Sequence, residues 1–244
     1  MGAARTFLTT PSQFRDVSRG TPRPHTLKGD DLVRARLTPE TWRCEILAEG
    51  GTTIATPLTL EKRNALDLPT LEKLGQRHGR KFLKAMQCLN IAQPLGQGLW
   101  EGVPLREVLK SVGRINNIRR IYYWGFHNND PKQIFQSSLT YTQVMDAAPG
   151  DLGPLVVYRL NGQPLPQGVM PRDVWGFDPK TGQPKEWPMR YSWALWSVTL
   201  PALNAGSYEF RVRSVDQNDF AQPEPRPYQK SGQNPVQVKL ITAT

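Results

Sequence analysis

The chain has 244 residues, enough for one large domain or two modest ones, and its 38% hydrophobic and 21% charged content is ordinary for a globular fold. No apolar run approaches the roughly 20 residues of a membrane span, and residues 1–11 hold no apolar stretch of the secretory kind, so neither a span nor a signal is expected in this chain. The formal net charge of +10 either draws anions or is solvated surface. Basic residues are scattered, with tight pairs at Arg80-Lys81 and Arg119-Arg120. Neither zinc-finger spacing nor an aromatic RNA-binding motif is present, so nucleic acid is not an expected partner. The 22 prolines and 20 glycines punctuate the whole length and predict short strands, short helices and many turns.

Residues 1–35 are polar and turn-rich and read as an irregular N-terminal arm. A strand follows over 41–47, where Trp42-Arg43-Cys44-Glu45-Ile46 alternates apolar and charged residues; Cys44 is expected to be a buried structural thiol. Residues 58–79 read as a broken helix, with Pro69 at a start and Gly79 just past the last turn. A strand over 82–88 runs into a Gly/Pro-rich loop over 90–102. Residues 103–110 then form a short amphipathic helix, with Pro104 in its first turn and Gly113 at its end. An aromatic strand over 118–126, a short helix over 142–147 and a strand over 155–160 complete a mixed α/β front domain spanning 36–173. Residues 174–189, rich in Gly, Pro and Lys, read as a linker. In the C-terminal β segment, 190–244, strand patterns recur at 191–200, 207–215 and 236–241. Tyr208-Glu209-Phe210-Arg211-Val212-Arg213 has the alternation of a half-buried antiparallel sheet. The fold class expected is α+β.

Two cysteines exclude a disulfide scaffold but not a single bridge. Cys88 lies where a strand gives way to a loop, the usual place for a functional side chain. A lone thiol there packs, attacks as a nucleophile or holds a soft metal, and its neighbours leave all three open. His25, His78 and His127 are too scattered for a zinc motif. His127 ends the aromatic strand, as a turn residue or a ligand contact. Tyr158 is either a strand tyrosine with a satisfied hydroxyl or a site residue. Arg172 is either a solvated turn arginine or a phosphate fork.

Three stretches share a resemblance. The first is Gln87-Cys88 followed by Gly98-Leu99-Trp100-Glu101-Gly102-Val103-Pro104-Leu105. The second is Leu155-Val156-Val157-Tyr158-Arg159-Leu160-Asn161-Gly162-Gln163-Pro164-Leu165-Pro166. The third comprises Trp193 to Pro201, Gly206-Ser207-Tyr208 and Arg211 to Asp216. Together, and in this order, they resemble the sulfite-oxidase family of molybdopterin-dependent oxidoreductases and the end of its immunoglobulin-like dimerisation domain. The resemblance implies a molybdenum-molybdopterin cofactor with Cys88 as metal ligand, and Tyr158 as an active-site hydrogen-bonding group. It also implies that Arg172 and His127 approach the cofactor and that Arg19 stands near an oxyanion substrate. The activity implied is oxygen-atom transfer to or from a small substrate such as sulfite or a sulfoxide. Electrons would go to a separate protein, a homodimer is possible and the periplasm is a possible location. The family's histidine-glycine pair is replaced by Gln167-Gly168, and nothing after Arg172 resembles the first strands of the dimerisation domain. The chain therefore reads as internally shortened. Three strand patterns fall short of the roughly seven strands of a sandwich, so the C-terminal segment is expected to pack on the front domain or on another subunit. The alternative function is a cofactor-free remnant that acts as a binding or structural module.

Overall fold

The computed structural model describes residues 8–18, 21–88, 94–125, 136–148, 150–161, 172–194, 197–216, 218–224 and 236–244. In chain order the elements are α1 (Asp30–Arg34), β1 (Arg43–Cys44), β2 (Thr53–Ile54), β3 (Leu66–Asp67), α2 (Leu68–His78), β4 (Arg80–Met86), β5 (Gly96–Pro104), α3 (Leu105–Lys110), β6 (Ile115–Asn116), β7 (Arg120–Trp124), β8 (Gln136–Thr140), α4 (Tyr141–Met145), β9 (Leu155–Leu160), β10 (Val174–Trp175), β11 (Gly206–Val212) and β12 (Gln237–Ala243). The class is α+β, as expected.

Helix α2 begins where its sequence prescribes. The Asp67 carboxylate accepts the Thr70 backbone N–H at 2.9 Å, Pro69 occupies the first turn, and Gly79 caps the end. Hydrogen bonding from Thr70 holds the Asp67 carboxyl below its ordinary value. Helix α4 carries a reciprocal cap, in which the Thr140 hydroxyl accepts the Gln143 N–H and the Gln143 side chain accepts the Thr140 N–H.

The central sheet has the order β10-β4-β5-β9. Strands β4 and β10 run parallel, while β4–β5 and β5–β9 are antiparallel. Pairs Phe82↔Trp100, Leu83↔Leu99 and Met86↔Gly96 set the register along β4 and β5. Leu83, Leu99, Val174, Phe177 and Met189 form one buried cluster. A second, Leu66, Leu71, Val103 and Val108, joins the sheet to α2 and α3, with Trp42, Cys44 and Tyr158 packed against it. Four further antiparallel pairs, β1–β3, β2–β6, β7–β8 and β11–β12, each form a two-stranded sheet.

Several segments depart from the sequence reading. Much of the stretch expected to be a Gly/Pro-rich loop is β5, whose residues Gly96 to Leu99 are buried. Its glycines answer close packing: a Cβ on Gly102 would stand 2.7 Å from the Val156 carbonyl oxygen, and one on Gly96 would stand 2.6 Å from the Phe14 ring. The stretch 174–189, expected to be a linker, contributes β10 and places Val174, Phe177 and Met189 in the core. Part of the N-terminal arm is docked on β5 by backbone hydrogen bonds from Thr9 to Gln97 and from Arg15 to Leu95. The described residues within 191–200 form no strand. Strands β11 and β12 pair along their whole length. Tyr208, Phe210 and Val212 are half-buried opposite Ile241, Lys239 and Gln237, and Leu240 on the other face is 76% exposed.

Candidate functional site

Cys88 follows the last residue of β4 by two positions. The β4–β5 ladder continues to the bond from Leu95 N–H to the Met86 carbonyl, and beyond it the chain leaves the sheet. The thiol is half-buried, forms no disulfide and belongs to neither core cluster. Gln87 Nε2 donates to the Cys88 carbonyl at 2.8 Å, which holds the backbone at this exit. Cys44 contrasts with it. That thiol packs against the second cluster, and burial, aided by the charge of Glu45, pushes it up, away from thiolate chemistry.

Tyr158 sits at a β-bulge. Glu101 pairs with Arg159 and Gly102 with Val157, so Tyr158 is the extra residue between them. Its hydroxyl donates to Glu101 Oε1 at 2.9 Å. Arg159 braces the same carboxylate from Nη1 at 3.2 Å, reaches Glu72 on α2 from Nη2 at 3.1 Å, and stands 5.6 Å from the Tyr158 ring centroid. Burial, then the hydrogen bond and charge of Glu101, push the phenol up to about 12. The group therefore keeps its proton at neutral pH.

Arg172 is exposed and lines a cavity of about 620 Å³ beside β10, together with Arg80, Lys185, Arg190 and Trp175. That volume is in the range of small-molecule sites. Two of the acids on its wall are already engaged: Asp151 with Arg190 at 3.2 Å, and Asp173 with Lys81. The Trp175 indole N–H donates to the Gly150 carbonyl at 2.7 Å, linking two residues of the wall.

The sheet register separates these groups. Val174 pairs with Lys81, so Arg172 stands at the starting end of β4, while Arg190 on the cavity wall precedes Tyr191, whose carbonyl accepts the Ala85 N–H further along the strand. Glu101 and Gly102, opposite Lys81 and Arg80, put Tyr158 at that level too. Met86 is five residues further along, roughly 17 Å at about 3.3 Å per residue, and Cys88 lies beyond it. The fold thus brings Tyr158 and Arg172 to one end of the sheet and Cys88 to the other. Arg19 and His127 lie outside the described residues. Among the described residues, no cluster of three or more His, Cys, Asp or Glu side chains could hold a metal ion, and no helix is long and apolar enough to cross a membrane.

Sequence reasoning missed Glu101 as the partner of Tyr158. It also missed Arg80, Lys185, Arg190 and Trp175 around Arg172. Arg80-Lys81 was visible as a tight basic pair; Lys185 and Arg190, scattered in sequence, left no pattern. A family model described as the oxidoreductase molybdopterin binding domain matches residues 32–168, more than half of the chain. No curated protein matches the chain significantly.

Proposed function

This chain belongs to the oxidoreductase molybdopterin-binding domain family, and on that premise we propose a molybdenum-dependent oxidoreductase with Cys88 as a ligand to the metal. Its reaction in this reading is oxygen-atom transfer of the sulfite-oxidase kind, to or from sulfite, a sulfoxide or a similar small substrate. One observation carries the proposal. Within the matched residues, Cys88 presents a half-buried, unbridged thiol at the point where β4 leaves the sheet. A thiolate is the soft donor that a metal already held by pterin sulfurs accepts, so the residue fits the group. When bound, the cofactor supplies two-electron redox chemistry at the metal.

The remaining chemistry falls to the chain. Cys88 fixes the metal end, and the formal charge of +10 favours approach of an anionic substrate. For sulfite the net change is sulfite and water to sulfate, two protons and two electrons. In this reading a separate protein takes the electrons. Tyr158 enters this reading as a proton-holding donor, and Arg19, His127 and Arg172 as groups around cofactor and substrate. These four rest on the family resemblance, and Cys88 alone is also supported by its geometry. One observation favours the alternative of a cofactor-free remnant: the Tyr158 hydroxyl is spent on Glu101, at the sheet end away from Cys88.

Metal analysis of chain purified from a host that makes the cofactor decides between them. The enzyme reading expects about one molybdenum per chain, and its loss in Cys88→Ser with an unchanged circular dichroism spectrum and Tm. Molybdenum retained by Cys88→Ser would remove that cysteine as ligand. A well-folded wild-type chain without metal would favour the remnant.

A further inference from the structure

We propose that residues 9–15 form a detachable strap that completes the outer edge of β5 and governs access to the Cys88 thiol. The edge needs completing because β9 covers only part of it. From Pro104 to Trp100, β5 pairs with β9, which ends at Leu160. Next, Asn161, at φ 51°, donates its N–H to the Leu99 carbonyl at 2.7 Å and accepts the Leu99 N–H on Oδ1 at 2.8 Å. Beyond it, Thr9 donates to the Gln97 carbonyl at 2.8 Å and takes the Gln97 N–H on its hydroxyl at 3.0 Å. Arg15 closes the row on the Leu95 carbonyl at 3.0 Å. Without the strap, the backbone of Gln97 and Leu95 would be left as a bare sheet edge.

Two devices hold the strap. Asn161 Nδ2 donates to the Thr9 carbonyl at 2.9 Å, so one side chain ties the end of β9 to the strap. The Phe14 ring lies over Gly96 and Gly98 and meets Trp100 edge to face, at 6.0 Å between centroids and 77° between planes. The glycines make this seat, since a Cβ on Gly96 would stand 2.6 Å from the ring. Gly96 is the cross-strand partner of Met86, and Cys88 is two residues past Met86. Phe14 therefore lies at the level of Met86, two residues short of Cys88.

The attachment is light. None of the residues from Thr9 to Arg15 is buried, and their regular structure is one 3₁₀ turn at Pro11–Gln13. A segment with few buried contacts opens at a free energy far below that of global unfolding. The strap can thus lift from Thr9 onward while Leu8, just before it, stays packed against the first core cluster.

Alkylation of the full-length, metal-free chain by iodoacetamide, followed by mass spectrometry at each cysteine, tests this without any assumption about cofactor or activity. Phe14→Ala removes the ring and Gly96→Ala displaces it, so the two variants release the strap by opposite routes. Cys44, packed against the second core cluster, reports loosening of the whole fold. When opening is fast relative to labelling, the rate follows the open population. We expect both variants to raise Cys88 labelling about tenfold or more over wild type, with Cys44 unchanged. An unchanged Cys88 rate in both variants overturns the proposal, and so does a parallel rise of Cys44 and Cys88 in both. Because no molybdenum is involved, failure of the enzyme reading would leave this result standing.

Discussion

Replacing Gly75 with alanine sets helix propensity against a steric block, and the structure says which prevails. In the middle of an exposed helix this change stabilises by about 1 kcal/mol. Here the new Cβ would stand 2.8 Å from Tyr158 Cζ and closer still to its hydroxyl. The ring is not free to move, because its hydroxyl is bound to Glu101 at 2.9 Å and Arg159 stands over its face. Relief comes either by pushing α2 off the sheet, an overpacking cost of about 1–3 kcal/mol, or by surrendering a hydrogen bond to a charged acceptor, about 1.5–3 kcal/mol. These are alternatives, so the cheaper one sets the cost. After the propensity gain, Gly75→Ala should destabilise by about 1 kcal/mol. In a Tyr158→Ala background the block is gone, and the same change should stabilise by about 1 kcal/mol.

Urea unfolding of the four proteins measures that coupling of about 2 kcal/mol as a double-mutant cycle. A second signal comes from the phenol. Wild-type Tyr158 is pushed up to about 12 by burial and by Glu101. A raised tyrosine value means the fold contributes stability that is fully present below the ordinary value near 10 and lost as pH rises through about 12. If Gly75→Ala breaks the bond to Glu101, ultraviolet titration should show one tyrosine returning toward 10. Should Gly75→Ala have the same effect in both backgrounds, the packing of α2 against Tyr158 is not what requires glycine at this position.

Asp67→Ala should cost about 1 kcal/mol through loss of the α2 cap, whereas Asp67→Asn should be nearly neutral at pH 7, because asparagine caps as well. Thermal scans at pH 7 and pH 3 separate the two contributions. The lowered Asp67 value gives stability that is present above the ordinary carboxylate value of 3.8 and lost as pH falls through the folded one. The asparagine variant should lack that component of the acid loss. Gln97→Leu should destabilise by about 1–3 kcal/mol in urea, because Gln97 is fully buried and its Oε1 accepts the Trp193 N–H at 2.8 Å, leaving that donor unpaired. A Gln97→Leu protein as stable as wild type would mean that the Trp193 N–H finds another acceptor.

Much of the local structure could be read from neighbouring residues. Pro69 and Gly79 bracket α2, and the alternation of Tyr208, Phe210 and Val212 marks β11. Strand β9 runs over 155–160, where the sequence reading had it. Each of these signals lies within a few residues, because caps, turns and side-chain periodicity act over that range. Cys88 at a strand exit was legible for the same reason. How Tyr158 and Arg172 stand to Cys88 was not, since that depends on how β4, β5, β9 and β10 are registered.

The amino-acid sequence by itself determined the α+β class, the span of β9, the C-terminal end of α2, the alternation of β11, and a family whose shared stretches are short and ordered along the chain. Only the tertiary structure decided that the glycines of 96–102 line the interior of a sheet. Glycine signals a turn or a close neighbour with the same letter, and the neighbours here, Phe14, Leu160 and Val156, are distant in sequence. Packing likewise drew 174–189 into the core and part of the N-terminal arm onto β5. Buried area and the pairing of a strand edge are properties of whichever segments meet, and no single segment carries them.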